Sequence, residues 1–367
     1  MNLKYPWQLY HWHFEVSGKC TLQCPRCPRN DTDRVPWFNH ELDLKFFENT
    51  LTPDLLKNEV KRITMCGDIG DPIYASQYLE IIEYIKSHNE KIHIYTITNG
   101  SYKKPDWWRK FAKLSNEYDT INFSIDGYDE KSNDLYRVNN DWESIMTGME
   151  IMCKESPAFV YWATIVFSFN QDHLDTIYNL AKEKGCDGLQ LTCSTKFGSK
   201  YGESFGGNTD PLEPRAEFIS KTHRYERYFK DITGRKQNND SYLQKNYDLY
   251  KEVSSKHNKF ITPMCSIGNR GLYVSADGVL HPCSWVSFPY DYNETERKRI
   301  YWKDSFHQVY RDKVCIKTKS LEEVLNDDVW KYLFNSFDDT KKAWVECEHK
   351  CHSSLVDEPY AVGFLTN

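Results

Sequence analysis

The chain has 367 residues, 40% of them hydrophobic, and a formal net charge of -6 from 47 Lys and Arg against 53 Asp and Glu. That length accommodates one large domain and a smaller one, and the near-neutral balance without a basic block argues against nucleic acid or an anionic membrane surface as partner. No apolar run approaches the roughly 20 residues that span a bilayer, and the opening MNLKYPWQLYHWHF lacks the features of a signal peptide, so a cytoplasmic location is expected.

From residue 13 to about 194 strand-like and helix-like segments alternate. HFEVSG leads into the loop SGKCTLQCPRCPRN (17–30), and RITMCG (62–67) is the second strand. SQYLEIIEYIKSH then places Tyr78, Ile81, Ile82 and Ile85 at helical spacing, which predicts a helix with one buried face. KIHIYTITNG (91–100) is the third strand, with Asn-Gly marking its exit. Pro105 opens a helix on which Trp107, Phe111 and Leu114 share a face. TINFSIDG (120–127) precedes a helix carrying Ile145, Met149 and Met152. FVYWATIVFSF (159–169) reads as a buried strand, QDHLDTIYNLAKEKG as a helix stopped by Gly185, and DGLQLTC (187–193) as the sixth strand. Six such alternations predict an α/β fold with a parallel sheet and right-handed crossovers. Ligands of such sheets gather at the carboxyl ends of the strands, and the cysteine loop leaves the first of them.

Residues 196–262 change character. KFGSKYGESFGGNTDPLEPR is a Gly- and Pro-rich loop, and AEFISKTHRYERYFKDI and SYLQKNYDLYKEVSSK read as polar, tyrosine-rich helices. They form either a substrate-facing insertion or a solvated bridge. The expected division is therefore 1–195, 196–262 and 263–367. In the last part LYVS and VLHPC flank Ala-Asp-Gly, which predicts a hairpin with an Asp-Gly turn.

Twelve cysteines in a cytosolic chain point to metal or redox chemistry rather than disulfides. They cluster as Cys20, Cys24 and Cys27, as Cys265 and Cys283, and as Cys347 and Cys351. Three thiolates in one loop leave a metal centre one ligand short. A structural zinc would close with a distant ligand such as His11 or His13, whereas a four-iron, four-sulfur cubane held by three thiolates keeps one iron open.

This C-x3-C-x2-C loop after a first strand resembles that of radical SAM enzymes, and the six-fold β/α pattern is similar to their partial (β/α)6 TIM-like barrel. The resemblance implies that Cys20, Cys24 and Cys27 hold a catalytic cubane whose open iron binds S-adenosylmethionine, cleaved by one electron to a 5′-deoxyadenosyl radical. One departure is Arg26, where the family usually has an aromatic residue. GDIGDP (67–72) resembles the family's Gly-Gly-Glu-Pro motif, which gives Gly70 and Asp71 the methionine amino group, with Asp in place of the usual Glu. By the same resemblance Asn99 of TITNG and Ser124 of FSIDG line the ribose side, and Arg137 of DLYRVNND pairs with the methionine carboxylate, as a guanidinium fork suits. Each residue also has a plainer reading: Asp71 as a helix cap, Ser124 in a strand-ending turn, Arg137 on the surface.

The segment from Cys265 to Cys283, with its Gly278-x4-Cys283 ending, resembles the SPASM and twitch extensions of the same enzymes. That implies a small α+β domain in which Cys265, Cys283, Cys347 and Cys351 hold one auxiliary four-iron, four-sulfur cluster; a structural zinc with the same ligands is the alternative. Cys315 is spare, and Cys66 and Cys193 read as packing residues. The expected function is hydrogen abstraction from a C–H bond of a small molecule or peptide, with an external one-electron reductant of flavodoxin or ferredoxin type as partner. Only 19 residues precede Cys20, too few for a leader-binding domain, which favours a small molecule or short peptide over the alternative of a ribosomal-peptide maturase. An iron–sulfur electron carrier and a zinc-stabilised binding protein are the readings from other classes.

Overall fold

In a computed structural model of the chain, the residues described are 1–5, 7–27, 29, 39–67, 69–194, 197–198, 209–219, 224–229, 271–287, 310–336 and 347. Six strands run in sequence order across a parallel sheet: β1 (His11–Phe14), β2 (Arg62–Met65), β3 (His93–Thr98), β4 (Thr120–Ser124), β5 (Phe159–Ile165) and β6 (Gly188–Thr192). Each is hydrogen-bonded in parallel to the next, as Phe14 opposite Met65 and Ser124 opposite Ala163 illustrate. This is the expected six-fold β/α half-barrel.

The crossover between β1 and β2 carries two short helices that the strand pattern did not announce, α1 (Leu44–Thr50) and α2 (Pro53–Asn58). Asp43 and Thr52 cap them by accepting from Phe46 N and Leu55 N, and Pro53 sits where its missing N–H costs no intrahelical bond. On α3 (Tyr78–His88) the four expected residues, Tyr78, Ile81, Ile82 and Ile85, are all buried. On α4 (Pro105–Leu114) the expected face is rotated: Trp108, Phe111 and Ala112 are buried, while Trp107 and Leu114 are only partly covered. The reason lies on the neighbouring α6 (Trp142–Glu155), which follows the short α5 (Glu130–Asp134). A Cβ on Gly148 of α6 would stand 2.3 Å from the Trp108 indole nitrogen, so the indole fills the groove that this glycine leaves. Burying an aromatic side chain of that size stabilises by about 3 kcal/mol.

β5 ends at Ile165 rather than at 169 because side chains take over the backbone donors. Ile165 N binds the Asp126 carboxylate and Phe167 N binds Asn170 Oδ1, each at 2.8 Å. α7 (Leu174–Glu183) stops as expected at Gly185, whose φ of +85° is the left-handed conformation that favours glycine.

Two further differences extend the sheet. In the segment expected as a helix from 216, the described residues form instead a 3-10 turn, Ala216–Phe218, and a strand β7 (Arg224–Tyr228) antiparallel to β6. Pairing with the open edge of β6 outweighs the local helical pattern. At the other edge the expected hairpin forms from β8 (Leu272–Val274) and β9 (Leu280–His281), with Gly278 at φ +89°. β8 pairs in parallel with β1, so the hairpin continues the same nine-stranded sheet, in the order β7-β6-β5-β4-β3-β2-β1-β8-β9. The segment SYLQKNYDLYKEVSSK lies outside the described residues. Among the described residues no helix is long and apolar enough to cross a membrane.

Candidate active site

The cysteine loop leaves the carboxyl end of β1 and is held from three directions. The Arg29 guanidinium donates to the carbonyls of Cys20 and Leu22, closing the loop on itself. The segment after α5 supports its outer side, where Gln23 N donates to Val138 O at 2.9 Å and Asn139 Nδ2 to Thr21 O at 2.8 Å. Arg26, the departure from the family pattern, pairs with the buried carboxylate of Asp210 and lies over the Phe197 ring at 5.1 Å. It therefore ties the cysteine loop to the chain that follows β6.

Cys24 is buried and Cys20 and Cys27 are partly buried. Burial pushes the Cys20 thiol up to about 12, with the nearby Asp71 carboxylate adding to the effect. Burial also raises Cys24 and Cys27, against the opposing pull of Arg137 on Cys24 and of Arg29 on Cys27. Thiols in such surroundings ionise when a cation binds them. The Cys20 sulfur receives Asn99 Nδ2 at 3.4 Å, and the Cys27 Sγ lies 3.9 Å from Ile69 O.

The loop after β2 lies directly against the cysteine loop. Asp71 N donates to Lys19 O at 2.9 Å, and a Cβ on Gly70 would stand 1.7 Å from Ser17 O, so only glycine fits this approach. Asp71 is 5% exposed, and its oxygens accept from Thr98 Oγ1, from Asn99 N at 2.6 Å, from Asn99 Nδ2 at 2.7 Å and from Ile73 N at 3.2 Å. Burial pushes this carboxyl up to about 6 despite those donors. The carboxylate thus caps the 3-10 turn Pro72–Tyr74 and orients Asn99, and its acceptor positions are engaged within the protein.

At the end of β4, Ser124 is partly buried and Asp126 fully buried. Asn133 Oδ1 accepts from Asp126 N and Gly127 N, both at 3.0 Å, which sets the turn. Arg137 does not lie on the surface: its Nε donates to Asp126 Oδ2 at 2.6 Å, and its guanidinium also reaches the Cys24 thiol. Burial pulls Arg137 down, but Asp126 and Cys24 more than offset this and hold it above its ordinary value.

Cys20, Cys24, Cys27, Gly70, Asp71, Asn99 and Arg137 are thereby brought to one end of the sheet, joined by Ser124 at the end of β4. His11 and His13, the expected zinc alternatives, turn elsewhere, to Thr64 Oγ1 at 3.3 Å and Cys66 O at 2.7 Å. Cys66 and Cys193 sit just past β2 and β6, Cys193 buried and Cys66 partly so. In the C-terminal part Cys283 and Cys347 are buried in the main core, whereas Cys265 and Cys351 lie outside the described residues. Glu15, Arg29 and Asp126 were not singled out from the sequence. A Glu inside the apolar strand HFEV is the signal that marks the first, since a charged residue in a buried strand needs partners.

The donor set fits a cubane held at three corners: three soft thiols in one loop, with an amide N–H on one of their sulfurs. Among the described residues no three or more His, Cys, Asp or Glu side chains converge as ligands of one metal ion. Thiols bound to separate irons of a cluster need no such convergence.

The family model of the Radical SAM superfamily matches residues 14–181. The GTP 3′,8-cyclase of Campylobacter fetus subsp. fetus (strain 82-40) is 25% identical over 273 residues, covering 73% of this chain and 78% of the relative. Among solved structures, native anSMEcpe with bound AdoMet and Cp18Cys peptide matches with a TM-score of 0.50 at 15% identity, over 92% of this chain and 84% of that one.

Proposed function

We propose that the chain acts as a radical SAM enzyme through its residues 14–181, that Cys20, Cys24 and Cys27 hold its catalytic four-iron, four-sulfur cluster, and that it abstracts hydrogen from a C–H bond of a small molecule or peptide. Held by Cys20, Cys24 and Cys27, the cluster would supply one-electron reduction of bound S-adenosylmethionine, the chemistry from which hydrogen abstraction would follow. The observation that carries this reading is the convergence of the cysteine loop, the 67–72 loop, Asn99 and Arg137 at the carboxyl edge of β1 to β4.

The residues of the chain bind and orient. Gly70 brings backbone against the cysteine loop, where the loop's carbonyls would face the methionine ammonium of the cofactor. Asp71 acts from behind, by fixing that loop and Asn99. Asp126 engages Arg137 Nε and so aims the terminal nitrogens of the guanidinium at the methionine carboxylate. Ser124 contributes to the ribose side. Arg26, Phe197 and Asp210 cover the cysteine loop from the β6 side and limit water there.

For the C-terminal part the reading is a twitch-like unit, residues 263–367, in which Cys265, Cys283, Cys347 and Cys351 hold one auxiliary cluster. The burial of Cys283 and Cys347 supports it. The two substrate classes follow the relatives: one is a GTP cyclase, and the other is a solved structure with a bound peptide. A flavodoxin- or ferredoxin-type protein would supply the electron. The test is anaerobic purification with iron and sulfide counting. Two cubanes require about eight irons, and Cys24→Ala should keep roughly half of them while losing cofactor cleavage. Zinc without sulfide would overturn the reading.

A further inference from the structure

Glu15 follows the last residue of β1 and is fully buried, yet it carries a carboxylate. Its Oε1 accepts from Ile69 N at 2.9 Å and from Gly70 N at 3.2 Å, both in the loop after β2. Its Oε2 accepts from the Tyr273 hydroxyl at 2.9 Å. Tyr273 is the middle residue of β8 in the C-terminal hairpin, itself fully buried and packed edge-on against His13 with ring centroids 4.9 Å apart. Glu15 N closes the same junction by donating to Val274 O at 2.9 Å. A Cβ on Gly67 would stand 2.8 Å from Glu15 Oε1, so this glycine makes room for the carboxylate.

We infer that Glu15 is a positioning residue for S-adenosylmethionine, and that through it Tyr273 makes the C-terminal hairpin set the loop that receives the methionine end. The inference rests on the proposed cofactor site. A buried carboxylate costs several kcal/mol unless well-placed donors satisfy it, and hydrogen bonds to a charged acceptor are about twice as strong as neutral ones. Here two of the donors are consecutive backbone N–H groups of the loop, which fixes the direction of the peptide units at 69 and 70. The third belongs to an element some 200 residues further along the chain, paired directly with β1. Loosening of the hairpin therefore releases one side of the carboxylate, and with it the loop. The same link makes cofactor affinity depend on the integrity of the C-terminal part.

The experiment uses full-length, cluster-reconstituted protein and compares wild type with Tyr273→Phe, Glu15→Gln and Tyr310→Phe. Tyr310 serves as control because its hydroxyl donates to Leu280 O in the same hairpin. Two readouts are taken: the Kd for S-adenosylmethionine, and amide hydrogen exchange at Ile69 and Gly70 in protein without cofactor. Loss of one hydrogen bond to a charged group should weaken binding roughly tenfold in Tyr273→Phe and speed exchange at both amides. Glu15→Gln, which turns all three bonds into weaker neutral ones, should weaken binding and speed exchange at least as much as Tyr273→Phe, and Tyr310→Phe should match wild type. If wild type binds cofactor and Tyr273→Phe shows unchanged Kd and unchanged exchange, the inference is overturned. Equal loss in Tyr310→Phe would overturn it too, by assigning the effect to hairpin stability. If wild type does not bind cofactor, the underlying site reading fails instead, and the exchange data still decide whether Tyr273 holds the loop.

Discussion

The side-chain amide of Asn99 stands between Cys20 and Asp71, its Nδ2 lying 3.4 Å from the Cys20 Sγ and 2.7 Å from Asp71 Oδ2. Its Oδ1 accepts from Ser101 N at 2.9 Å and from the Tyr74 hydroxyl at 3.4 Å. A flipped amide would set an oxygen against the carboxylate, so the network fixes which end faces the sulfur. Hydrogen bonds to ligating sulfur tune a cluster's potential by stabilising the more negative, reduced form. Asn99→Ala should therefore shift the midpoint potential of the catalytic site to a more negative value at unchanged iron content. A redox titration followed by electron paramagnetic resonance reads this directly, and an unmoved potential would contradict it.

Gly70→Ala places a Cβ 1.7 Å from Ser17 O and 2.7 Å from Gly18 Cα, both backbone atoms that cannot swing aside. The 67–72 loop must then leave the cysteine loop. We expect S-adenosylmethionine binding to weaken by roughly tenfold or more, about 1.4 kcal/mol, with iron retained. Equilibrium dialysis against the labelled cofactor measures it, and wild-type affinity would argue against this loop as the methionine site.

Asp126 and Arg137 form a buried ion pair with an Nε to Oδ2 distance of 2.6 Å. Removing one member of such a pair leaves an uncompensated buried charge and destabilises by about 3–5 kcal/mol. Asp126→Ala should show a loss of that size in urea unfolding. Arg137→Lys keeps the charge without the planar fork, so it should fold and hold iron but bind the cofactor weakly. A stable Asp126→Ala variant would mean that the pair is not closed in solution.

His93 is 7% exposed, with its Nε2 3.0 Å from Thr120 Oγ1. Burial, and after it the cations Arg62 and Lys86, hold its imidazole well below the ordinary value. His11 is held down the same way by burial and then by Arg62, His13 and His93. Because the folded pKa values lie below the unfolded one, the unfolded chain takes up these protons first. Stability should be full above about pH 6.5, the unperturbed imidazole value, and fall as the pH drops below it. Urea midpoints at pH 7.5 and 5.5 test this, and His93→Gln should reduce the difference between them. Equal midpoints in the wild type would contradict the buried neutral state.

The sequence made the half-barrel legible because its strands and helices have clean periods: Tyr78, Ile81, Ile82 and Ile85 fall on the buried face that their spacing predicts. It misplaced the α4 face because the choice between Trp107 and Trp108 is made by Gly148 on another helix. The strand at Arg224–Tyr228 was hidden for a similar reason, since the edge of β6 that pairs with it is not a local property. The cysteine loop and its neighbouring motifs were legible as residues. Their partners were not, because Glu15, Asp126 and Tyr273 act through hydrogen bonds between elements far apart in the chain. Arg137 shows the difference most plainly: its segment was recognised, but its burial against Asp126 required the fold.

We propose that Cys20, Cys24 and Cys27 support reductive cleavage of S-adenosylmethionine. Chromatographic detection of 5′-deoxyadenosine after anaerobic reconstitution and dithionite reduction with the cofactor, in wild type and Cys24→Ala side by side, decides it. 5′-Deoxyadenosine is expected from the wild type and none from the variant. No product from a wild type with full iron and sulfide, or equal product from both proteins, would contradict it.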